Sequence, residues 1–257
     1  MMKDPLGDRC KRFERMEAGR VLMPGLHILV RLDGRAFHTY TRGLRRPFDG
    51  RLSACMAETT GALVEHFHAD VGYTQSDEIT LLFRPAPQPL FGGRVAKLTS
   101  VLAGFASATF YKASLKHLPE KASALPHFDA RAWCVPNREE AVAVFAWREA
   151  DAVRCSLNML AQAHFSSSAL HGKKSADLHD MLHEMGVHWG DLPESQKRGS
   201  YYRRAVVERP LTDEERARIP QRYWPQMVRR SSVVRLELPP IGSLPNAAEI
   251  LFGEVEP

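Results

Sequence analysis

"RLDGRAFHTY", residues 31–40, follows directly on the apolar run "LHILV" at residues 26–30. The run is rich in large and branched apolar side chains and ends at Asp33 and Gly34, a dipeptide that is typical of tight turns. The segment therefore predicts a buried strand that enters a turn and leaves the Asp33 carboxyl at its end.

A second stretch, "YTQSDEITLLF" at residues 73–83, carries two short apolar segments on either side of a polar turn. It predicts a β-hairpin with the acids Asp77 and Glu78 at its tip. The other signals in this half are two helices, over residues 50–68 and 93–115, and a strand over residues 130–135. The order β, α, β, β, α, β is that of the ferredoxin-like arrangement, an antiparallel sheet with helices.

The second half of the chain is basic and predominantly helical. Helices are predicted over residues 141–167 and 176–185, and short strands over residues 205–207 and 233–238. The fold class is therefore α+β. We expect a catalytic core over residues 1–140 and a helical, loop-rich extension over residues 141–257, packed together as one compact unit.

Composition indicates a globular protein, and its basic balance mildly favours a polyanionic partner. Of the 257 residues, 44% are hydrophobic and 25% are charged, and the formal net charge is +5. The longest apolar run, residues 101–110, is too short to span a bilayer, and the charged N-terminus lacks the apolar centre of a secretory signal. A cytoplasmic location is expected. Basic pairs recur through the second half, a distribution that suits a long phosphate backbone.

The acids at the two strand ends predict a metal site. Asp33 and Asp77 would converge if their strands are neighbours in the sheet, and Mg²⁺ prefers carboxylate, carbonyl and phosphate oxygens. Gly34 has no Cβ, so its carbonyl can approach an ion closely. Each motif alone is also a common turn, and Phe37 behind the turn could belong to the core. Glu78 would point to the face opposite Asp77 once the strand has begun.

Four segments together closely resemble one enzyme family, the tRNA-His guanylyltransferases, and more closely the related 3′-to-5′ tRNA polymerases called tRNA-His guanylyltransferase-like proteins. These segments are "RLDGRAFHTYTRGLRRPFD", "QSDEITLLF", "FDARAWCVP" and "WREADAVRCSLNMLAQAHF", at residues 31–49, 75–83, 128–136 and 147–165. The resemblance covers nearly the whole chain and preserves the order of the motifs. It implies a palm-type catalytic domain that extends a tRNA at its 5′ end, after ATP activates a 5′-monophosphate, or from a 5′-triphosphate.

The resemblance also implies roles for individual residues. Two Mg²⁺ ions would be held by Asp33, the Gly34 carbonyl and Asp77. Apart from the resemblance, the position of Glu78 beside Asp77 makes it a further expected catalytic acid, which would orient the site or bind water instead of metal. The nucleotide, ATP or GTP or another triphosphate, would contact Arg35, Ala36, Phe37, His38, Arg46, Ser76 and Lys97. The tRNA would contact Arg131, Lys197 and Arg198. Family members suggest a homotetramer built as a dimer of dimers.

Two departures from the family pattern bear on the substrate. The His-Ile-Asn-Asn segment that eukaryotic members use to select tRNA-His is Val-Arg-Cys-Ser here, at residues 153–156, and Thr74 replaces the Gly that commonly precedes the Gln-Ser-Asp-Glu motif. Both favour the branch that repairs 5′-truncated tRNA by templated addition. The alternative is a guanylyltransferase that adds a single G to tRNA-His.

Three other classes compete with this interpretation. "HDMLH" places His179 and His183 on one helix face, with His188 nearby, and would make the protein a zinc hydrolase. "HGKKS" at residues 171–175 fails as a phosphate-binding P-loop, so Lys173 and Lys174 are either tRNA contacts or solvated charge. A non-catalytic tRNA-binding module does not explain the paired aspartates, and a palm-type nucleotide cyclase would carry a Gly-Gly-acid hairpin that is missing here.

Overall fold

The computed structural model describes residues 4–253, and one antiparallel sheet organises them. Its strands run in the spatial order β4-β1-β3-β2-β5-β6. The strands are β1 His27–Gly34, β2 Val71–Gln75, β3 Glu78–Phe83, β4 Phe128–Val135, β5 Ser200–Arg209 and β6 Val228–Leu236. The first four strands have the predicted ferredoxin-like order, and the mixed α+β class is confirmed.

Helices cover both faces of the sheet. They are α1 Pro5–Ala18, α2 Phe37–Tyr40, α3 Gly50–Phe67, α4 Val95–His117, α5 Arg138–His164, α6 Ser167–Leu170, α7 Ser175–Glu184, α8 Glu194–Lys197, α9 Asp213–Arg218 and α10 Ala247–Leu251. Short 3₁₀ turns lie at Leu90–Gly93, Pro119–Lys121, Trp189–Asp191, Gln221–Tyr223 and Ile241–Ser243. None of the helices between residues 4 and 253 is long and apolar enough to cross a membrane.

The alternation of side chains along β1 explains why both faces are covered. Ile28, Val30 and Leu32 pack into one core with residues of α3 and α4. Leu29 points the other way and joins a second core with Phe145 of α5. A strand with apolar side chains on both faces is stable only when both are buried, so β1 lies inside the sheet. Its last residues therefore emerge at one edge of a rigid, two-sided core.

The two strands predicted near the C-terminus extend this sheet. Both are longer than expected, and β5 pairs with β2 from Val71↔Arg203 to Thr74↔Ser200. The distal part of β5 pairs only with β6 among the described residues, so the two strands project as a ribbon. The sheet thus draws strands from both sides of residue 140, and the proposed division there stays a prediction.

Candidate active site

The turn after β1 and the turn between β2 and β3 meet at one end of the sheet. Asp33 lies opposite Glu78 in the β1–β3 register. The Gly34 amide donates a hydrogen bond to the Asp77 carbonyl oxygen, with an N···O distance of 3.0 Å. Burial raises the pKa of the Asp77 carboxyl, and the negative charge of Asp33 raises it further. The two aspartates that the sequence singled out therefore lie within electrostatic range of one another.

This pair fits a divalent cation. Among the residues that the structure describes, neither Asp33 nor Asp77 forms an ion pair with a basic side chain; the one side-chain hydrogen bond at Asp77 comes from the Ser76 hydroxyl, at 3.1 Å. Carboxylates that are partly withdrawn from water without a cation are unfavourable, because burial and like charge both oppose ionisation. Asp33, Asp77 and the Gly34 carbonyl form the hard oxygen donor set that Mg²⁺ prefers.

Two residues at these turns adopt the left-handed backbone conformation. Ala36 has a φ of 57° and Ser76 a φ of 49°. This conformation is unfavourable for residues with a Cβ, and it persists only where the surrounding structure imposes it. Ser76 directly precedes Asp77, and Ala36 lies in the turn that follows Asp33. The backbone is therefore held in an unusual conformation close to both aspartates.

The Phe37 side chain leaves no room for a Cβ at position 34, so glycine is needed there whether or not a ligand binds. A Cβ added at Gly34 would lie 2.5 Å from the ring of Phe37. That ring is 3% exposed and packs against Tyr40, Phe110 and Phe128. The Phe37 side chain thus belongs to the core, the alternative that the sequence left open. It anchors the turn that carries Asp33.

A cavity of about 550 Å³ opens beside the Asp77 turn. The predicted residues Phe37, His38, Arg46, Ser76 and Asp77 line it. One wall is cationic, since Arg42 and Arg45 join Arg46 there. Another part of the lining comes from α5 and α8, and it is formed by Ala152, Cys155, Ser156, Met159, Gln162, Ala163, Ser195 and Gln196. A cavity of this size accommodates a nucleotide-sized ligand.

The sequence analysis missed this α5 wall as part of the site. A signal exists, because Ala152, Cys155, Ser156 and Met159 recur at helical spacing as small or uncharged residues within a charged helix. The hydroxyl of Ser156 lies 3.1 Å from the Lys197 carbonyl oxygen and accepts a hydrogen bond from Trp189 Nε1 at 3.0 Å. It is therefore occupied by contacts within the chain.

Asp49 organises the basic wall. Its buried carboxylate accepts a hydrogen bond from the Arg51 amide at 3.0 Å, which caps α3, and another from the Arg45 amide at 3.2 Å. The Arg51 side chain also pairs with it at 2.8 Å. The Arg51 guanidinium holds the pKa of the Asp49 carboxyl well below its usual range. This acid is thus fully partnered, unlike Asp77 in the same cavity.

Glu78, the first residue of β3, is bound by a side chain of α5. It is buried, and both of its oxygens accept hydrogen bonds from Arg148 of α5, each at 2.7 Å. Burial raises the pKa of the Glu78 carboxyl, and the Arg148 guanidinium opposes that shift. Glu78 was expected to be a further catalytic acid, but its carboxylate is already engaged by Arg148.

Three other predicted nucleotide contacts lie outside the cavity lining. Arg35 and Ala36 are exposed at the turn after β1, where the Arg35 guanidinium lies 3.2 Å from His127 Nε2. Lys97 lies in the first turn of α4 and stacks over Phe91 at 5.2 Å. Phe110, which packs on Phe37, lies roughly 20 Å further along the axis of α4. A single chain therefore does not bring Lys97 to the acidic pair.

The predicted tRNA contacts fall into two groups. Arg131, Lys173 and Lys174 are exposed, and Arg131 lies 3.6 Å from Asp129. Lys197 and Arg198 are held inside the chain instead. Lys197 is 9% exposed, pairs with Glu194 at 2.7 Å and donates to the Gly190 carbonyl oxygen. Arg198 pairs with Glu194 and with buried Glu149. These ion pairs leave both cations poorly placed for an RNA phosphate.

The histidines of α7 do not assemble the metal site that a zinc hydrolase needs. His183 Nδ1 lies 3.3 Å from His188 Nδ1, and His179 packs edge-on against Trp189. Across residues 4–253, no three His, Cys, Asp or Glu side chains are grouped so that they could hold a metal. The hydrolase alternative therefore has no ligand set in this region.

Comparison with known proteins agrees with the geometry. A model of the tRNAHis guanylyltransferase family matches residues 7–136, half of the chain. The tRNA(His) guanylyltransferase of Schizosaccharomyces pombe is 27% identical over 215 residues, which cover 77% of this chain and 80% of the relative.

Solved bacterial structures match over almost the full length. A bacterial tRNA(His) guanylyltransferase-like protein in complex with ATP superposes with a TM-score of 0.80 at 32% identity, covering 96% of this chain and 98% of that one. Another such structure, in complex with GTP, superposes with a TM-score of 0.76 at 30% identity, covering 97% and 99%. The chain described here belongs to the tRNA(His) guanylyltransferase family of nucleotidyltransferases.

Proposed function

We propose that this protein adds nucleotides in the 3′-to-5′ direction to the 5′ end of tRNA, in a Mg²⁺-dependent, templated reaction that repairs 5′-truncated molecules. The observation that carries the proposal is the convergence of Asp33 and Asp77, neither of which pairs with a basic side chain of residues 4–253, at a turn where Asp77 lines a nucleotide-sized cavity. Membership of a nucleotidyltransferase family supports it.

The acidic pair would hold the metal. Asp33, Asp77 and the Gly34 carbonyl are the groups that would bind two Mg²⁺ ions. Bound there, the ions would stabilise the charge on the attacking and leaving oxygens of phosphoryl transfer. The Phe37 ring beneath Gly34 and the Gly34–Asp77 hydrogen bond fix the two turns relative to each other, so the carboxylates are positioned before the substrate arrives.

The cavity would hold nucleotide phosphates against its basic wall. Arg42, Arg45 and Arg46 line the side nearest Asp49, and guanidinium groups bind phosphate oxygens in paired hydrogen bonds. The part of the lining on α5 is neutral and suits a base and ribose. ATP, GTP and other nucleoside triphosphates are the proposed substrates, in line with the ATP and GTP complexes of the bacterial relatives.

Templated repair is favoured over the addition of a single G. Residues 153–156 lie where family members that select tRNA-His carry His-Ile-Asn-Asn, and the Ser156 hydroxyl is engaged by Lys197 and Trp189. Pairing of the incoming nucleotide with the opposite strand needs little base reading by the protein, so phosphate and shape contacts suffice. Arg131, Lys173 and Lys174 are the exposed cations proposed for those contacts.

The proposed assembly is a tetramer made of two dimers. Helix α1 supports self-association, because none of its side chains is buried while Leu6, Phe13 and Met16 are 61%, 61% and 72% exposed. Light scattering at several protein concentrations tests this assembly. A monomer at every concentration would contradict it.

The decisive experiment offers the protein 5′-truncated and full-length tRNAs with each labelled triphosphate and Mg²⁺. Repair predicts that truncated tRNA is extended by the nucleotide complementary to the opposite strand, whichever that nucleotide is. Addition of G alone, and only to full-length tRNA-His, would establish the guanylyltransferase alternative. Binding without extension in wild-type protein would contradict both.

A further inference from the structure

Glu78 occupies an unusual position beside the proposed metal ligands. It follows Asp77 in the chain and lies opposite Asp33 in the β1–β3 register. A free carboxylate there would be a third acid within reach of the site. Instead, Glu78 is 6% exposed as a residue, and both of its carboxylate oxygens face the Arg148 guanidinium, at 2.7 Å each. Two parallel hydrogen bonds fix the direction of the carboxylate as well as its charge.

Arg148 is itself held by several neighbours. Asp151, one turn later on α5, accepts a hydrogen bond from Arg148 at 2.8 Å, and the Trp147 ring lies 4.5 Å from its guanidinium carbon. The Arg31 guanidinium stacks over the same ring at 5.7 Å and lies 3.9 Å from Glu78. The position of the Arg148 guanidinium is therefore determined by contacts on several sides.

We propose that Arg148 is a positioning residue for nucleotidyl transfer, which holds Glu78 away from the metal ions so that Asp33 and Asp77 remain their only carboxylate ligands. The inference rests on the proposed function. Without the guanidinium, the buried Glu78 carboxylate would have Arg31 as its nearest remaining cation and would be attracted toward the ions. It would add a negative charge and a competing ligand to the site.

The test uses three variants and one matched control. Arg148→Met keeps the aliphatic stem but frees Glu78, Glu78→Gln removes the carboxylate charge, and the double variant removes both members of the pair. Arg216→Met is the control, because Arg216 pairs with Asp213 at 3.4 Å on the exposed helix α9 and is not a partner of Glu78 or of Arg148. Thermal unfolding of each variant establishes that it is folded.

Two measurements are made on each protein: the rate of tRNA extension, and Mn²⁺ binding by electron paramagnetic resonance with ATP and without tRNA. We expect Arg148→Met to lower the extension rate about 10- to 100-fold, the loss typical of groups that orient metal ligands. Mn²⁺ should bind several-fold more tightly to this variant, because a negative charge has been freed and a positive one removed. The double variant should regain wild-type Mn²⁺ affinity and recover most of the lost rate.

Three results would overturn the inference. Glu78→Gln could lose activity and Mn²⁺ affinity together, which would make Glu78 a ligand. The double variant could be no better than Arg148→Met, or Arg148→Met could bind Mn²⁺ more weakly, and either result would make the pair merely structural. If Arg148→Met does not fold, Glu78→Gln and the double variant decide the matter. If the variants show the expected Mn²⁺ affinities but the wild-type protein extends no tRNA, the proposed function is refuted, and only the part of the inference that concerns metal binding stands.

Discussion

Two regions of this molecule carry carboxylates withdrawn from water, and the carboxylates of the two regions differ in their hydrogen-bond partners. Glu149 on α5 is 4% exposed, and it accepts hydrogen bonds from Arg198 at 3.1 Å, from the Tyr201 hydroxyl at 2.9 Å and from the Ile241 amide at 3.2 Å. Asp77, half-buried at the other site, has the Ser76 hydroxyl and a neighbouring negative charge instead.

The difference separates an acid that stabilises the fold from one that we propose to be a metal ligand. A buried carboxylate with an arginine, a hydroxyl and an amide satisfies its own hydrogen-bonding capacity and stabilises the fold. A pair of carboxylates without a cation is destabilised until something positive binds. Partners, and not burial alone, therefore indicate which acids bind a ligand.

The largest expected effect is at Glu149. Replacement by Ala should lower the free energy of unfolding by about 3 kcal/mol or more, because Arg198 and Tyr201 are left without a buried partner. Urea denaturation at pH 7 measures this change. Glu149→Gln should be less destabilised, and both variants should retain wild-type metal dependence of catalysis per folded molecule. Unchanged stability of Glu149→Ala would show that this carboxylate does not stabilise the fold, and the contrast with Asp77 would be lost.

The second prediction concerns Asp77 and Asp33, the proposed metal ligands. Asp77→Asn should lower the rate of transfer at least about a hundredfold, the loss typical when a group that stabilises transition-state charge is removed. It should leave the free energy of unfolding unchanged or raise it, because a buried charge next to Asp33 disappears. Asp33→Asn should behave alike. Transfer at the wild-type rate in either variant would remove the metal assignment.

Asp49 lines the same cavity as Asp77 but, like Glu149, has an arginine and backbone amides as partners. Asp49→Asn should lower the free energy of unfolding by about 1–2 kcal/mol, since the cap of α3 and the Arg51 pair are weakened. The pKa of this carboxyl is depressed in the folded state by Arg51. Its contribution is therefore complete above its unfolded pKa, near 4, and declines as the pH falls below that value. Unfolding curves at pH 7 and pH 3 should show a smaller acid loss in the variant than in the wild type.

The smallest effect distinguishes free cations from partnered ones. Lys173→Ala with Lys174→Ala should leave stability unchanged and weaken tRNA binding, reducing the log-log salt slope by about one unit for each phosphate that the protein no longer neutralises. Lys197→Ala should instead lower stability, because its ammonium is paired with Glu194 and bonded to the Gly190 carbonyl. Binding titrations over a salt series measure the slope, and urea denaturation measures the stability. An unchanged slope in the Lys173/Lys174 variant would make these residues bystanders.

Short-range patterns in the sequence predicted the end of the sheet at which the two aspartates lie. Asp33 and Gly34 end an apolar strand, and Asp77 lies at a hairpin tip, so local rules located them and the ferredoxin-like order made them neighbours. The two strands near the C-terminus were recognised, but their pairing with β2 was not, because strand partners more than a hundred residues apart leave no local signal.

Partner identity was the part that sequence could not supply. Lys197 and Arg198 look like any basic pair, and only the fold brings Glu149 to Arg198 and the Gly190 carbonyl to Lys197. Phe37 follows a functional motif but fills the core, and Lys97 lies at the distant end of α4. For Arg198 and Phe37, neighbours remote in the chain decided the role of the side chain, whereas Lys197 and Lys97 are bound by residues within seven positions of them.

The left-handed backbone at Ala36 and Ser76 has an evolutionary consequence. Glycine at either position would relieve about 1 kcal/mol of local strain, part of which is offset because glycine loses more conformational entropy on folding. It would also let both turns sample other shapes, and the aspartates would spend less time facing each other. Selection for robustness and selection for turnover therefore pull these two residues in different directions.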